Sequence, residues 1–453
     1  MTARLETDTR YPCGSEHFIT SSHAERTGWE IAKSDLIASG IEESEAIFQD
    51  PDFPELMIRA ARPADNAVLL RLMRVTMPSN GLQLSFEREP DYLKSTSALY
   101  DLPQALVVVE KSSPDRVLGL YNIGQRWCYV NGIRQLQRYV GDLRVVPEAQ
   151  GKGVVRLYMR QLRQLMPAPH YCQAVILADN APARAMLSQK RAGFPNYFEE
   201  CAVITKLITG DRMRRVQLAV ADPAQTRWRT ATAADAAALT AFVQKMASYY
   251  TNLPAYDFKA LRDHPNSGYW LGLRLSDFRV QVRVRTHVHD LLDGFITPVA
   301  TLKGELETVD CEEIVALYGL WNQKSFKQTR MRRYHLLLKL ARPAYNWWAK
   351  RAQRIELPEE GGVLDYRMVH SPLCLPEVAV MEDLLSDALQ QARAQGIRAI
   401  CLSLGKTDPR RPAYERFIGE ETIGVSAYYS FGEHRPEALD AKGYIPYFEA
   451  GRL

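Results

Sequence analysis

Apolar positions in this chain keep two rhythms, a period near two and a period near 3.6, which mark strands and helices respectively. A short strand at 57–61 is followed by Pro63-Ala64-Asp65 and an apolar-periodic helix over 67–73, the usual way a helix opens with proline and an acid in its first turn. Two strands at 105–109 and 117–121 flank a Ser-Ser-Pro-Asp turn, and Asn131-Gly132 marks a second tight turn. A strand over 136–146 follows, then a helix with apolar positions at Val155, Tyr158, Met159, Leu162 and Leu165. A strand at 174–177, a helix over 181–191 that closes with Ala192-Gly193-Phe194, and closing strands at 197–208 complete this part.

Near residue 226 the pattern begins again. WRTATAADAAALTAF from Trp228 echoes IRAARPADNAVLLRL from Ile58, with Arg229, Ala231 and Asp235 standing for Arg59, Ala61 and Asp65. A repeat of this length implies duplication. The later order agrees: a strand at 363–369, a loop, a helix over 378–393 capped by Gly396, and a strand at 397–404.

Composition narrows the class. With 453 residues the chain holds two full hydrophobic cores. A net charge of +4 gives no footprint for a nucleic acid. Seven cysteines are dispersed, with no C-x-x-C pair and no histidine at metal spacing, so no metal is expected and the thiols read as reduced. The start MTARLETDTR has no apolar signal core, and no run is long enough to span a bilayer, which together predict a cytoplasmic protein.

The stretch LRVVPEAQGKGVV at 143–155 carries the most chemistry. A strand ends in Val145-Val146-Pro147, a glycine loop follows, and a helix begins. The first turn of a helix has N–H donors without internal partners, and its dipole favours an anion. About twenty residues on, a second strand ends at Asp179-Asn180 and leads into a helix. Val145 and Pro147, Gln150 and Gly153, Asn180 and Ala183, and Gly193 and Phe194 together resemble the GNAT superfamily of acetyl-CoA-dependent N-acetyltransferases. Val155 departs from the family's last small loop position, and the spacing from Asn180 to Gly193 is about two residues long for the family.

The resemblance implies an α/β fold with mixed sheets, as two GNAT-like domains in tandem. An extension at 1–56 would precede an acyltransferase domain at 57–212, and a degenerate copy would occupy 222–453. It implies acetyl-CoA or another acyl-CoA as donor. The backbone of Val145 and Val146 would pair with the pantetheine arm, and the N–H groups of Gln150, Gly151, Lys152, Gly153, Val154 and Val155 would cradle the pyrophosphate. Asn180 would contact the pantetheine arm, or cap its helix, or both. The family's usual base position falls at Gly141, so Asp142 is the candidate base or amine anchor. The usual acid tyrosine is missing from the helix after Asn180. Tyr197 is the remaining candidate, since Tyr158 falls on the apolar stripe and reads as core. In the second copy His370-Ser371-Pro372-Leu373-Cys374-Leu375-Pro376 stands where the first has its glycine loop, and two prolines remove two donors.

One segment stands apart. Residues 324–354 hold ten lysines and arginines and no acid, with Leu336-Leu337-Leu338 and Trp347-Trp348 among them. Pro343 is expected to split it into two helices. Either the aromatics pack between the two halves, or the segment meets a membrane surface or an acidic partner. The expected activity is acyl transfer to a primary amine of a small or amino-acid-like acceptor. The alternatives are a non-catalytic CoA-responsive protein and a longer-chain acyltransferase working at a membrane or on a carrier.

Overall fold

The computed structural model describes residues 47–74, 82–188, 190–212, 226–288, 308–439 and 443–453. The expected extension lies outside them up to residue 46, and so does most of the boundary expected between 212 and 222.

The first half follows the sequence rhythm closely. Strand β1 (Leu56–Ala60) leads into helix α1 (Asn66–Met73). Strand β2 (Leu82–Glu87) and the short helix α2 (Tyr92–Ser97) precede the hairpin of β3 (Ala105–Glu110) and β4 (Ser113–Val130). Asn131 and Gly132, both at positive φ, turn β4 into β5 (Ile133–Val145). Helix α3 (Val154–Leu165), strand β6 (Tyr171–Leu177), helix α4 (Ala181–Ser188) and the long strand β7 (Asn196–Asp211) follow.

The second half begins with β8 (Thr226–Thr230), helix α5 (Ala236–Met246), the two-residue strands β9 (Tyr250–Thr251) and β10 (Leu253–Pro254), and helix α6 (Phe258–Asp263). Then come β11 (Phe278–Val288), β12 (Thr308–Trp321), β13 (Gln328–Tyr334) and helix α7 (Leu336–Ala352). Strand β14 (Arg367–Cys374), helix α8 (Val378–Ala394), β15 (Ile400–Gly405), β16 (Phe417–Ser430) and β17 (Ile445–Pro446) close the chain.

One mixed sheet runs through both halves in the order β1-β3-β4-β5-β6-β16-β7-β15-β14-β12-β11-β8, with β10 added beside β4. Taken from either end, the order is the same progression of equivalent strands, and the two progressions meet at β16 and β7. The meeting point is an exchange. Ser430 to Gly424 of β16 pair with Tyr171 to Leu177 of β6, while Val203 to Ile208 of β7 pair with Gly405 to Ile400 of β15. The closing strands expected at 197–208 are therefore one strand, and the place beside β6 is filled from 417–430. A strand edge offers the same N–H and C=O row to any partner, so local sequence does not specify which strand fills it.

The repeat is visible in side-chain geometry. Arg59 donates both guanidinium arms to Asp65, at 2.7 and 2.8 Å. Arg229 does the same to Asp235, at 2.8 and 2.7 Å. Each aspartate also accepts an N–H at the start of its helix, from Arg62 and Thr232, both at 2.7 Å. The first pair is almost wholly buried, at 1% and 6% exposure, whereas Arg229 keeps 28%. Removing one partner of a buried pair strands the other charge. Asp65→Asn is therefore expected to cost about 3–5 kcal/mol in urea unfolding, and Asp235→Asn distinctly less. Equal losses would show that burial does not set the difference. Arg229 holds the Asp235 carboxyl down at about 2, so its contribution is present above 3.8 and lost as pH falls through about 2.

Two expectations are corrected here. His370 to Cys374 is strand, not loop, and helix α8 starts two residues after Pro376. The first half spends Glu148 to Gly153 between Pro147 and α3, so the glycine loop is missing from the second half rather than replaced. Pro343 does not split its segment, since α7 runs through it with the proline exposed. Residues 328–334 before it form β13, which pairs with β2.

Candidate active site

Strands β5 and β6 pair in parallel only at Arg138 with Cys172 and Tyr139 with Gln173, and then diverge. Beyond that point Val146 donates its N–H to Leu118 at 2.9 Å, toward β4. Successive residues of a strand point their N–H and C=O to opposite sides. Val145 therefore presents its main chain to the gap between β5 and β6. Val146 does not, because its N–H is used and its C=O accepts from Ala149 at 3.0 Å. The expected pairing through Val146 is corrected on that ground.

The loop after Pro147 ends at the N-terminus of α3. Gly151 and Gly153 both lie at positive φ, +79° and +88°. The N–H groups of Gln150 and Lys152 donate to Pro147 and Ala149, each at 3.2 Å, so these two close turns instead of facing a ligand. Val154 and Val155 lie in the first turn, whose donors have no partner within the helix. Lys152 is exposed beside them. Phe53 packs across Gly153, where a Cβ would fall 2.5 Å from its ring. Asn180 is an N-cap: its Oδ1 accepts the Ala183 N–H at 3.3 Å.

Asp142 sits in a bulge of β5 at φ +53°, where the register against β4 slips between Leu120 and Asn122. Tyr92 donates to its Oδ2 at 3.0 Å, and Arg88 Nη2 approaches at 3.4 Å. Burial alone would push the Asp142 carboxyl up. Arg88 first, then Arg144 and the Tyr92 hydroxyl, outweigh burial and hold it below the ordinary carboxylate value. Asn122 pairs in register with Gly141 and is fully buried, yet neither Nδ2 nor Oδ1 finds a partner among the described residues. The same holds for Arg88 Nη1. Buried polar groups are ordinarily satisfied, so these atoms near the β5 bulge keep hydrogen-bonding capacity for a partner outside the described residues.

Tyr197 does not join this group. Its register runs through Tyr429 and Cys172 to Arg138, three strands across and four residues back from Asp142. At ~4.8 Å per strand the lateral gap alone is roughly 14 Å. Its hydroxyl donates to Glu199 at 3.0 Å, and burial with Glu199 pushes it up to about 12. Tyr158 is core, with its ring 3.9 Å from that of Tyr121. Cys172 is buried, and burial pushes its thiol up to about 12.

The second half has the same splay, since β14 and β15 pair only at Arg367 with Ile400 and Met368 with Cys401. Ser371, four residues on from Arg367, sits at φ +49°, as Asp142 does four residues on from Arg138. Here residues 447–452 fill the space. Glu449 accepts from Ser371 N–H and Tyr256 at 2.8 Å and from Tyr447 at 3.0 Å, and Arg452 Nη2 lies 2.9 Å from His370 Nε2. Burial, then Arg452, drives the His370 imidazole well below its ordinary value.

Residues 70–194, which span β2 to α4 and hold both strands of the β5–β6 gap, match the model of the acetyltransferase (GNAT) family. This part of the chain is a GNAT acetyltransferase domain. No curated protein matches the sequence. Among solved structures, N-myristoyltransferase from Saccharomyces cerevisiae, with bound myristoyl-CoA, is similar at 7% identity, with 86% of each chain covered and a TM-score of 0.48. A GCN5-related N-acetyltransferase from Sphaerobacter thermophilus is similar at 13% identity over 86% of this chain and 99% of its own, with a TM-score of 0.45. One from Kribbella flavida has 12% identity over 84% and 72%, with a TM-score of 0.38.

Sequence inspection of the GNAT domain missed Arg88, Tyr92 and Asn122. None lies in a motif, and Arg88 is 54 residues from Asp142. The one available signal was Asn122 inside an apolar strand, where an amide is costly unless it has work to do.

Proposed function

We propose that the protein transfers the acyl group of an acyl-CoA, with acetyl-CoA the first candidate, to the primary amine of a small amino-acid-like acceptor. The observation that carries this reading is the gap between β5 and β6, which ends at the free donors of the α3 N-terminus. A long ligand with a peptide-like arm and a phosphate end suits those features. Val145 offers main-chain pairing to the arm. Gly151, Gly153, Val154 and Val155 offer N–H groups to the phosphates, with Lys152 adding charge and Asn180 lying across the gap on the β6 side. When bound, acyl-CoA supplies a thioester carbonyl open to attack by an amine.

The chain's own residues handle the acceptor. Asp142 stays ionised near neutral pH, so it suits holding an ammonium better than taking its proton, for which a base needs a value near the working pH. Arg88 Nη1 and the Asn122 amide suit a carboxylate on the same acceptor. The held ammonium gives a proton to solvent before it attacks; the C–N bond forms as the C–S bond breaks, and the CoA thiolate leaves and is protonated from solvent. The second half is a degenerate copy without a donor loop, and residues 447–452 lie in its splay.

A thiol-release assay tests the reading against a panel of amines and acyl-CoAs. Turnover is expected with short acyl-CoAs and acceptors that carry both amine and carboxylate. Preference for acceptors without a carboxylate would remove the Arg88 and Asn122 roles. Binding of CoA without turnover on any amine would favour a CoA-responsive binding protein.

A further inference from the structure

Helix α7 turns its apolar face outward. Leu337 is 71% exposed, Leu340 70%, Leu336 66% and Trp347 61%, with Trp348 beside them. At 100° per residue these five fall within one third of the helix circumference. The opposite face anchors the helix. Ala349 is fully buried, Asn346 exchanges hydrogen bonds with Leu357 at 2.9 Å in both directions, and Tyr345 donates to Ile355 at 3.2 Å. An ordinary surface helix shows the reverse arrangement, with its apolar face inward. The tryptophan pair therefore does not pack between the halves, contrary to one of the two expectations. Among the described residues no helix is long and apolar enough to cross a membrane.

Charge selects the occupant. Residues 336–354 hold five lysines and arginines and no acid, while Arg330 and Arg332 before them are paired with Glu87 and Glu89. Lys339 and Lys350 flank the apolar face, and Arg351 lies within it, its guanidinium 3.7 Å from the Trp347 ring centre. Glu356, Glu359 and Glu360 pair with Lys350, Arg342 and Lys339 at the anchored side. A second copy of the chain is the poorer match: a twofold contact sets a patch against itself, and centred on the apolar face it would bring Arg351, which lies in the middle of that face, against its own counterpart. An anionic lipid surface takes leucines into its acyl boundary, tryptophans at the headgroup level and basic side chains at the phosphates.

We propose that α7 docks the protein in the plane of an anionic membrane, with Leu336, Leu337, Leu340, Trp347 and Trp348 inserted. The helix is joined through β13 to the segment that carries Arg88. Strand β13, which runs into α7, pairs with β2, and Gln328 at its start holds Glu89, the neighbour of Arg88, through both N–H and C=O at 3.0 and 2.8 Å. Docking and acyl transfer are read separately, so the membrane proposal stands or falls without the catalytic one.

Co-sedimentation of the full chain with phosphatidylcholine vesicles, with and without about 30 mol% phosphatidylserine, tests it. Binding is expected only to the anionic vesicles at low salt, with release as ionic strength rises. Trp347→Ala with Trp348→Ala, and separately Leu337→Glu, are expected to lower the partition coefficient at least about tenfold. Melting temperature and turnover on soluble acceptors are expected to stay unchanged. No binding to anionic vesicles overturns the proposal, as does binding that neither variant reduces. A monomer–dimer equilibrium that the variants abolish, without vesicle binding, assigns the face to a second copy instead.

Discussion

Gly151→Asp is expected to weaken CoA binding by about 10²-fold or more, with the fold intact. Like charges brought together cost several kcal/mol, and each ~1.4 kcal/mol is a factor of ten. The position is open: a Cβ at Gly151 meets nothing within 4 Å. Its φ of +79° is one that aspartate tolerates better than most residues. Gly153 is the wrong place for this experiment, because a Cβ there runs into Phe53 and would disturb the packing of residues 47–53 on α3. Calorimetry is expected to give one CoA site per chain for the wild type, since the second half has no glycine loop and residues 447–452 lie in its splay. Two sites, or unchanged affinity in the variant, would overturn the assignment of the donor loop.

Asp142→Asn is expected to lower kcat/KM by about 10²-fold and to leave CoA affinity unaltered. Asparagine accepts the positive φ of +53° readily, so the bulge survives. What is lost is the negative charge facing Arg88 and the acceptor. If Asp142 anchors the ammonium, KM rises, and the pH–rate profile above pH 5 gains or loses no limb, because the wild-type carboxyl is already ionised there. If it is instead the base, a limb of the profile disappears with it. The same carboxyl is held below its unfolded value of 3.8, so it stabilises the native state above that pH and ceases to do so as pH falls through its folded value. Acid unfolding of the variant is therefore expected to lack that component. An unchanged rate with the preferred amine would make Asp142 a purely structural partner of Arg88 and Tyr92.

The candidate site divides along the same line as these two experiments. Its donor half was largely legible: the Val145 strand end, Gly151 and Gly153, the α3 first turn and the Asn180 cap all lie in contiguous sequence. The reason is local, since turn chemistry, capping and apolar period act between residues a few positions apart. The same holds for the paired Arg59–Asp65 and Arg229–Asp235 bridges, whose six-residue spacing survives in both halves. Even there the main-chain bonding of Val146, Gln150 and Lys152 depended on neighbours the pattern does not name.

The acceptor half and the architecture were decided only in three dimensions. Arg88 and Tyr92 meet Asp142, and Asn122 comes opposite its neighbour Gly141, because β4 and β5 run side by side with α1 packed on them and α2 carrying Tyr92, and no local rule connects those positions. The exchange of β7 and β16 rests on strand edges whose hydrogen-bonding groups are chemically identical in every strand, so only length, register and the burial of both faces select the partner. Helix α7 shows the converse limit. Its amphipathic period is plain in the sequence, but a period gives the existence of an apolar face, not its direction. The Asn346–Leu357 and Tyr345–Ile355 bonds, made by the polar side, turned that face to the outside.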